Sequence, residues 1–301
     1  MGGLLLLDRL NPWTLKTWEL AQKSNYLDKL LEIYPAELPP ERPLPNNVKN
    51  QIVRLYQSEK YEDLVTLLIS LKDYPFPIEH PYAALLRHLG DSNRKKVISC
   101  NPQIIRILAE ATASLGLDNI IRGVERPKDI NRMLGAKFKE WINRKFRKEP
   151  FNVVNNPNQL LECRSNEICI YAGSDESIAD FIKNRLGLKE PEQGFFNRDV
   201  IAKVKDIYIV GEARFLSTPG GSQNRDLGNT LNFVEKMEEM LRVMKGVKIK
   251  GIALIDGIVW YYKKYTDRVI KVAVGDKVVM SALFLEEYLL DTFEELSQPF
   301  R

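Results

Sequence analysis

Histidine is nearly absent from this sequence. His80 and His88 are the only two in 301 residues, and both lie far upstream of the acidic residues considered below. No histidine-based catalytic motif can be assembled from them, and both read as ordinary residues on helix flanks. Cysteine is almost as scarce. Cys100, Cys163 and Cys169 are too few and too scattered for a disulfide framework. With no histidine near Cys163 and Cys169, a zinc site is not expected. No apolar run is long enough to span a bilayer. The run Leu4 to Leu7 has no basic residues before it and is ended by Asp8, unlike a secretory leader. Leu6 stands where N-myristoylation wants Ser or Thr. A cytoplasmic protein is therefore expected. The Gly-rich run Thr218 to Asn224, TPGGSQN, lacks the GxxxxGK(S/T) pattern of a phosphate loop. That argues against nucleotide hydrolysis and against a nucleotide cofactor.

What is present suffices for a folded core. Apolar residues make up 44% of the chain and charged residues 28%, normal proportions for a globular protein. The net charge is only +4, but it is unevenly spread. The first 150 residues carry 24 Lys/Arg against 18 Asp/Glu, and the remainder carries 20 against 22. Such an imbalance suits a grip on nucleic acid beside an acidic site.

The chain reads as two regions. Residues 1–150 form an all-helical region, beginning at Asn11-Pro12 with Pro at the first helical position. A proline-rich connector, Pro35 to Pro45, follows, and then short helical patterns at Val48 to Gln57, Tyr61 to Leu71, Tyr82 to Leu89 and Pro102 to Leu115. Its last part, residues 122–148, holds ten basic residues against three acids. Leu134, Phe138, Trp141, Ile142 and Phe146 recur there at helical spacing. That pattern predicts an amphipathic helix with a basic outer face. Lys137, Lys139, Arg144, Lys145 and Lys148 are the candidate phosphate contacts, since each phosphate neutralised releases counterions.

Residues 151–301 read as α/β. A strand is predicted at Ile168 to Ala172. A helix over Asp175 to Leu186 follows, capped by Ser174, with Asp175 and Glu176 complementing its dipole. After it come two apolar runs, Val200 to Val204 and Ile207 to Val210, which predict a β-hairpin turning at Lys205-Asp206. A helical stripe, Leu227 to Met244, ends at Gly246 and leads to a strand at Val247 to Ile255. A second hairpin is predicted over Val269 to Met280, turning at Gly275-Asp276, and a closing helix over Ala282 to Leu296.

Counting outward from a two-residue turn, Val204 faces Ile207, Ala202 faces Ile209 and Asp199 faces Glu212. Facing residues have Cβ atoms about 5 Å apart, so the two carboxylates share one face, joined by Arg214 two residues on. Adjacent carboxylates repel unless a cation lies between them, and all-oxygen ligation suits Mg²⁺ or Ca²⁺.

An Asp followed after an interval by Glu-x-Lys at the end of a strand resembles the PD-(D/E)XK nuclease motif. Asp199 and Glu212-Ala213-Arg214 match it, with Arg214 where the family usually has Lys. The longer run VGEARFLSTPGGSQN resembles type II restriction endonucleases more specifically. The resemblance implies a PD-(D/E)XK core, a mixed β-sheet flanked by helices, in residues 151–301. It implies a Mg²⁺-dependent endonuclease acting on double-stranded DNA at a short specific sequence, expected as a homodimer. Asp199, Glu212 and the Ala213 carbonyl would hold the metal, with Arg214 as the catalytic cation. Glu176 as a third acid, Lys203 as a substitute for the usual Lys, and Gln223 in the Gly-rich loop are further candidates. Two other readings stay open: a structure-specific or repair nuclease, and a DNA-binding protein on the same fold whose catalysis is impaired.

Overall fold

The computed structural model describes residues 9–23, 25–36, 42–126, 130–243 and 247–298, without the side chains of 130–132 and 241–243. The leucine run at Leu4 to Leu7, the middle of the proline connector, Lys128, Asp129, Met244 and Gly246 lie outside these residues, as do the side chains of Arg132 and Leu241. By packing, the chain divides into two compact units, residues 1–37 with 131–301, and residues 38–130. This differs from the division expected at residue 150.

Helices α1 (Pro12–Lys23) and α2 (Tyr26–Leu30) belong to the first unit. The second unit is all helical: α3 (Asn46–Gln57), α4 (Tyr61–Ser70), α5 (Pro81–His88), α6 (Asp91–Cys100), α7 (Pro102–Ala113) and α8 (Leu117–Val124). Ile52, Leu64, Leu68, Leu108, Ile120 and others close its own core. Two arginines act here as helix C-caps. Arg87 donates to the carbonyls of Leu68 and Leu71 at the end of α4, and the buried Arg94 donates to those of Leu86 and Leu89 at the end of α5. These cations serve the scaffold.

The basic helix is α9 (Ile130–Lys145). Its seam residues Leu134, Phe138, Trp141, Ile142 and Phe146 are buried in the core of the first unit. That seam moves the boundary from 150 to about 130. The rest of this unit runs β1 (Phe151–Val153), β2 (Ile168–Tyr171), α10 (Asp175–Asn184), β3 (Val200–Val204), β4 (Ile207–Leu216), α11 (Gly221–Val243), β5 (Lys248–Gly257), α12 (Lys263–Val272), β6 (Val278–Met280) and α13 (Leu285–Glu295). The expected mixed sheet flanked by helices is present: six strands lie in the order β1-β2-β3-β4-β5-β6. The β2–β3 and β3–β4 pairs are antiparallel and the other three are parallel. In β5, Ile249 and Ile252 to Ile255 are all buried, the near-continuous apolar run of a strand covered on both faces.

The hairpin turns as counted: Val204 pairs with Ile207, Ala202 with Ile209 and Val200 with Gly211. Lys205 accepts a left-handed φ of 55° to make the tight turn. Gly211 is required by close approach, because a Cβ there would lie 2.7 Å from Val200 Cγ1.

Two expectations are corrected. The second hairpin over Val269 to Met280 does not form; Val269 to Val272 is the end of α12, and only Val278 to Met280 is a strand. Tyr265 and Val269 are both buried, one helical turn apart, while Lys263, Lys264 and Lys271 are exposed, so the controlling period is 3.6. Cys163 and Cys169 are also joined, with Cα atoms 5.9 Å apart in a disulfide. Among the described residues, they and Glu167 are the group of His, Cys, Asp or Glu side chains close enough to share a metal ion, but the sulfurs are bonded to each other. No described helix is long and apolar enough to cross a membrane.

Candidate active site

Asp199 stands one residue beyond the last ladder pair of the hairpin. Its N–H donates to the Gly211 carbonyl at 3.1 Å, and its Oδ2 accepts the N–H of Ala213 at 2.9 Å. Glu212 lies between those two partners, so the strand pairing extends to the acids and sets them side by side. Both are buried, Asp199 to 8% and Glu212 to 2% exposure.

Two carboxylates in so dry a place need compensation, and two arginines provide it. Arg214 Nη2 is 2.9 Å from Glu212 Oε1, while its Nη1 is 3.8 Å from Asp199 Oδ2 and donates to the Ala213 carbonyl at 3.4 Å. Arg198 Nη1 is 3.2 Å from Glu212 Oε2. One guanidinium thus reaches all three oxygens expected to hold a metal. That convergence on a cation, and the all-oxygen donor set, fit Mg²⁺.

Burial pushes the Asp199 carboxyl above its usual range, against the pull of Arg214 and the Ala213 N–H, with Asp175 and Glu212 adding to the rise. Burial lowers the guanidinium of Arg198 despite the attraction of Glu212. For Arg214, burial acts downward, but Glu212 and Asp199 outweigh it and the group is held above its usual range.

The other candidates are placed as follows. Glu176 is exposed on the first turn of α10; the acid on that turn whose charge acts on Asp199, Arg198 and Arg214 is its neighbour Asp175. A step of about 100° per residue separates the two around the helix. Lys203 shares the hairpin face of the acids but stands four residues up the strand, roughly 13 Å away at strand rise. Its ammonium is 3.4 Å from the Leu161 carbonyl, so it is not brought to the acids. Gln223 is buried. Its Oε1 accepts the N–H of Thr218 at 2.8 Å and its Nε2 donates to Ser217 Oγ at 3.0 Å, folding the Gly-rich loop back on the end of β4.

A cavity of about 150 Å³ opens here, lined by Tyr34, Phe138, Asp199, Arg214, Gln223 and Asp226 among others. Phe138 brings α9 to the site. Among the described residues, the candidate phosphate contacts on that helix and just after it already have partners within the unit. Lys137 pairs with Glu140 and Lys139 with Asp175. Arg144 donates to the Glu32 carbonyl. Lys145 pairs with Glu32 and Glu286, and Lys148 with Glu286.

The sequence did not point to Arg198, Asp226, Tyr34 or Asp256. Asp226 follows Gln223 by three residues, a spacing that places both on one helix face, and that signal was available. Strand alternation would turn Arg198 away from Asp199, but Arg198 precedes the strand and escapes the rule. Asp256 is fully buried in β5. It accepts from Tyr26 Oη at 2.7 Å, Ser281 Oγ at 2.5 Å and the Ala282 N–H at 3.2 Å. Burial raises its pKa to about 6, against the hydrogen bonds from Ser281 and Tyr26.

The family model of the Tsp45I type II restriction enzymes matches residues 11–292 of the chain. No curated protein and no solved structure matches it.

Proposed function

The chain belongs to the Tsp45I type II restriction enzyme family and is a site-specific deoxyribonuclease; from that premise we propose that it hydrolyses duplex DNA at a short specific sequence with Mg²⁺, using a PD-(D/E)XK site. The observation that carries this reading is the apposition of Asp199 and Glu212 beside the Ala213 carbonyl, all within reach of one guanidinium. Asp199, Glu212 and the Ala213 carbonyl would hold the ion, which when bound supplies Lewis acidity to a water and to the phosphate under attack.

The remaining work falls to the chain. Arg214 is half-exposed, at 41%, and faces the cavity, so it can turn from the acids to a phosphate oxygen and donate to it in planar, bidentate fashion. It cannot act as the general base, because a guanidinium does not deprotonate in proteins. Gln223 and Asp226 also line the cavity and help bound the space a phosphate can enter. Lys139, Lys145 and Lys148 meet the duplex by exchanging their protein carboxylates for phosphates, a sequence-independent contribution. Cutting both strands of a twofold site calls for a homodimer.

Incubation with plasmid and phage DNA plus Mg²⁺ tests the reading. Discrete fragments that vanish in Glu212→Gln and without the ion are expected. Fragments that persist in Glu212→Gln would move the active site elsewhere.

A further inference from the structure

The two oxygens of Glu212 are given to different arginines. Oε1 meets Arg214, which is 41% exposed, and Oε2 meets Arg198, whose side chain is 11% exposed. Arg198 is packed rather than solvated. Its guanidinium lies 4.2 Å from the centre of the Phe233 ring and 5.5 Å from that of Phe195. Its Nε is buried without a hydrogen-bond partner, and Glu212 Oε2 is buried with only the Arg198 ion pair. The Nη1 of that pair also donates to the Asn197 carbonyl at 2.9 Å, and burying a guanidinium on aromatic faces with so few partners is costly. The arrangement holds Oε2 against the packed Arg198 and leaves Oε1 to Arg214, which lines the cavity.

We propose that Arg198 is a positioning residue for the catalytic metal site: packed against the Phe195 and Phe233 rings, it fixes the Glu212 carboxylate so that Oε1 alone is presented to the cation. The proposal rests on the metal-site reading of Asp199 and Glu212. It makes a prediction opposite in sign to a plain neutralising role. A positive charge that merely offsets Glu212 competes with a metal, so removing it tightens metal binding. A charge that orients Glu212 is needed for binding, so removing it weakens binding.

Mn²⁺ binding to the full-length protein without DNA, read by electron paramagnetic resonance, separates the two. Arg198→Met is expected to weaken Mn²⁺ at least tenfold, and Arg198→Lys to recover part of the loss. Phe233→Leu, which loosens the packing under the guanidinium and leaves every charge in place, is expected to weaken Mn²⁺ in the same direction. At saturating Mn²⁺ the cleavage rate of Arg198→Met should fall while KM for DNA holds. Wild-type or tighter Mn²⁺ binding by Arg198→Met overturns the proposal. If Arg198→Met does not fold, unchanged binding by Phe233→Leu overturns it. Glu212→Gln is the control on the underlying reading. If Glu212→Gln loses Mn²⁺ and Arg198→Met does not, only the role of Arg198 fails. If Glu212→Gln binds Mn²⁺ normally, the metal site itself is misplaced.

Discussion

Arg214 Nη2 stands 2.9 Å from Glu212 Oε1, the shortest ion pair in the site. The sequence alone suggests two carboxylates repelling each other until a metal arrives. The folded chain instead balances them internally, with Arg214 across both acids and Arg198 behind Glu212. The site is therefore a cluster of two acids and two arginines whose formal charges offset each other, and each acid is part of the fold.

The consequence for stability is an order. Glu212→Ala leaves Arg198 buried without a carboxylate, and breaking a buried pair costs about 3–5 kcal/mol. Asp199→Ala removes an acceptor for the Ala213 N–H but leaves Arg214 paired with Glu212 and partly in water, so its cost is smaller. Urea unfolding without metal should rank wild type above Asp199→Ala and Asp199→Ala above Glu212→Ala, and neither variant should cleave. A rise in stability in either one would restore the repulsion picture.

The hairpin was legible because its register follows from period-two alternation and turn length, both local. Asp199, Glu212 and Arg214 came with it. The hairpin placed over Val269 to Met280 failed because apolar residues at Ile270, Val272 and Val274 look alternating, while the buried pair Tyr265 and Val269 obeys the helical period. Tyr34 and Asp256 had no local signal. Tyr34 reaches the cavity, and Asp256 reaches Tyr26 and Ser281, through packing between segments remote in sequence, which no window along the chain contains. The basic helix was legible as a helix, but the sequence could not show that its cations already hold Glu32, Asp175 and Glu286.

Asp256 gives the protein a titration of its own. Its folded-state pKa of about 6 lies above the unfolded value near 3.9. The protonated form is thus the one the fold prefers. The resulting stabilisation is fully present below about pH 3.9, declines as pH rises, and is lost once pH passes about 6; a shift of roughly two units is on the order of 3 kcal/mol. Asp256→Asn lacks this titration. Measured by denaturant at pH 4.5 and 7.5, the stability of wild type relative to Asp256→Asn should be greater at the lower pH. A difference independent of pH would mean that Asp256 titrates normally.

Lys145 and Lys148 test the electrostatic grip. Lys145→Gln with Lys148→Gln should weaken binding to cognate and random duplexes alike and flatten the dependence of affinity on salt, because phosphate contacts release counterions. Their partners Glu32 and Glu286 are partly exposed, so the loss of stability should stay within about 1 kcal/mol. Fluorescence anisotropy across a salt series reads the slope. If only the cognate duplex is affected, the helix reads bases.

Residue 214 carries the departure from the usual Glu-x-Lys pattern, and its replacement separates charge from proton transfer. Arg214→Ala removes the cation that reaches both acids and faces the cavity, and should lower kcat on the order of a hundredfold or more, as loss of other transition-state donors does. It should remain folded, since Glu212 keeps Arg198. Arg214→Lys keeps the charge but gives up the planar fork, so substantial activity is expected. The pH–rate profile then decides what the side chain does. Arg cannot release a proton at any working pH, and a purely electrostatic role leaves the profile of Arg214→Lys parallel to wild type. A new limb in that profile, with the rate rising as a lysine deprotonates, would show that the position can serve as a general base. The parallel profile is the expected one, because Glu212, 2.9 Å from the guanidinium, and the neighbouring Asp199 favour a charged group at 214.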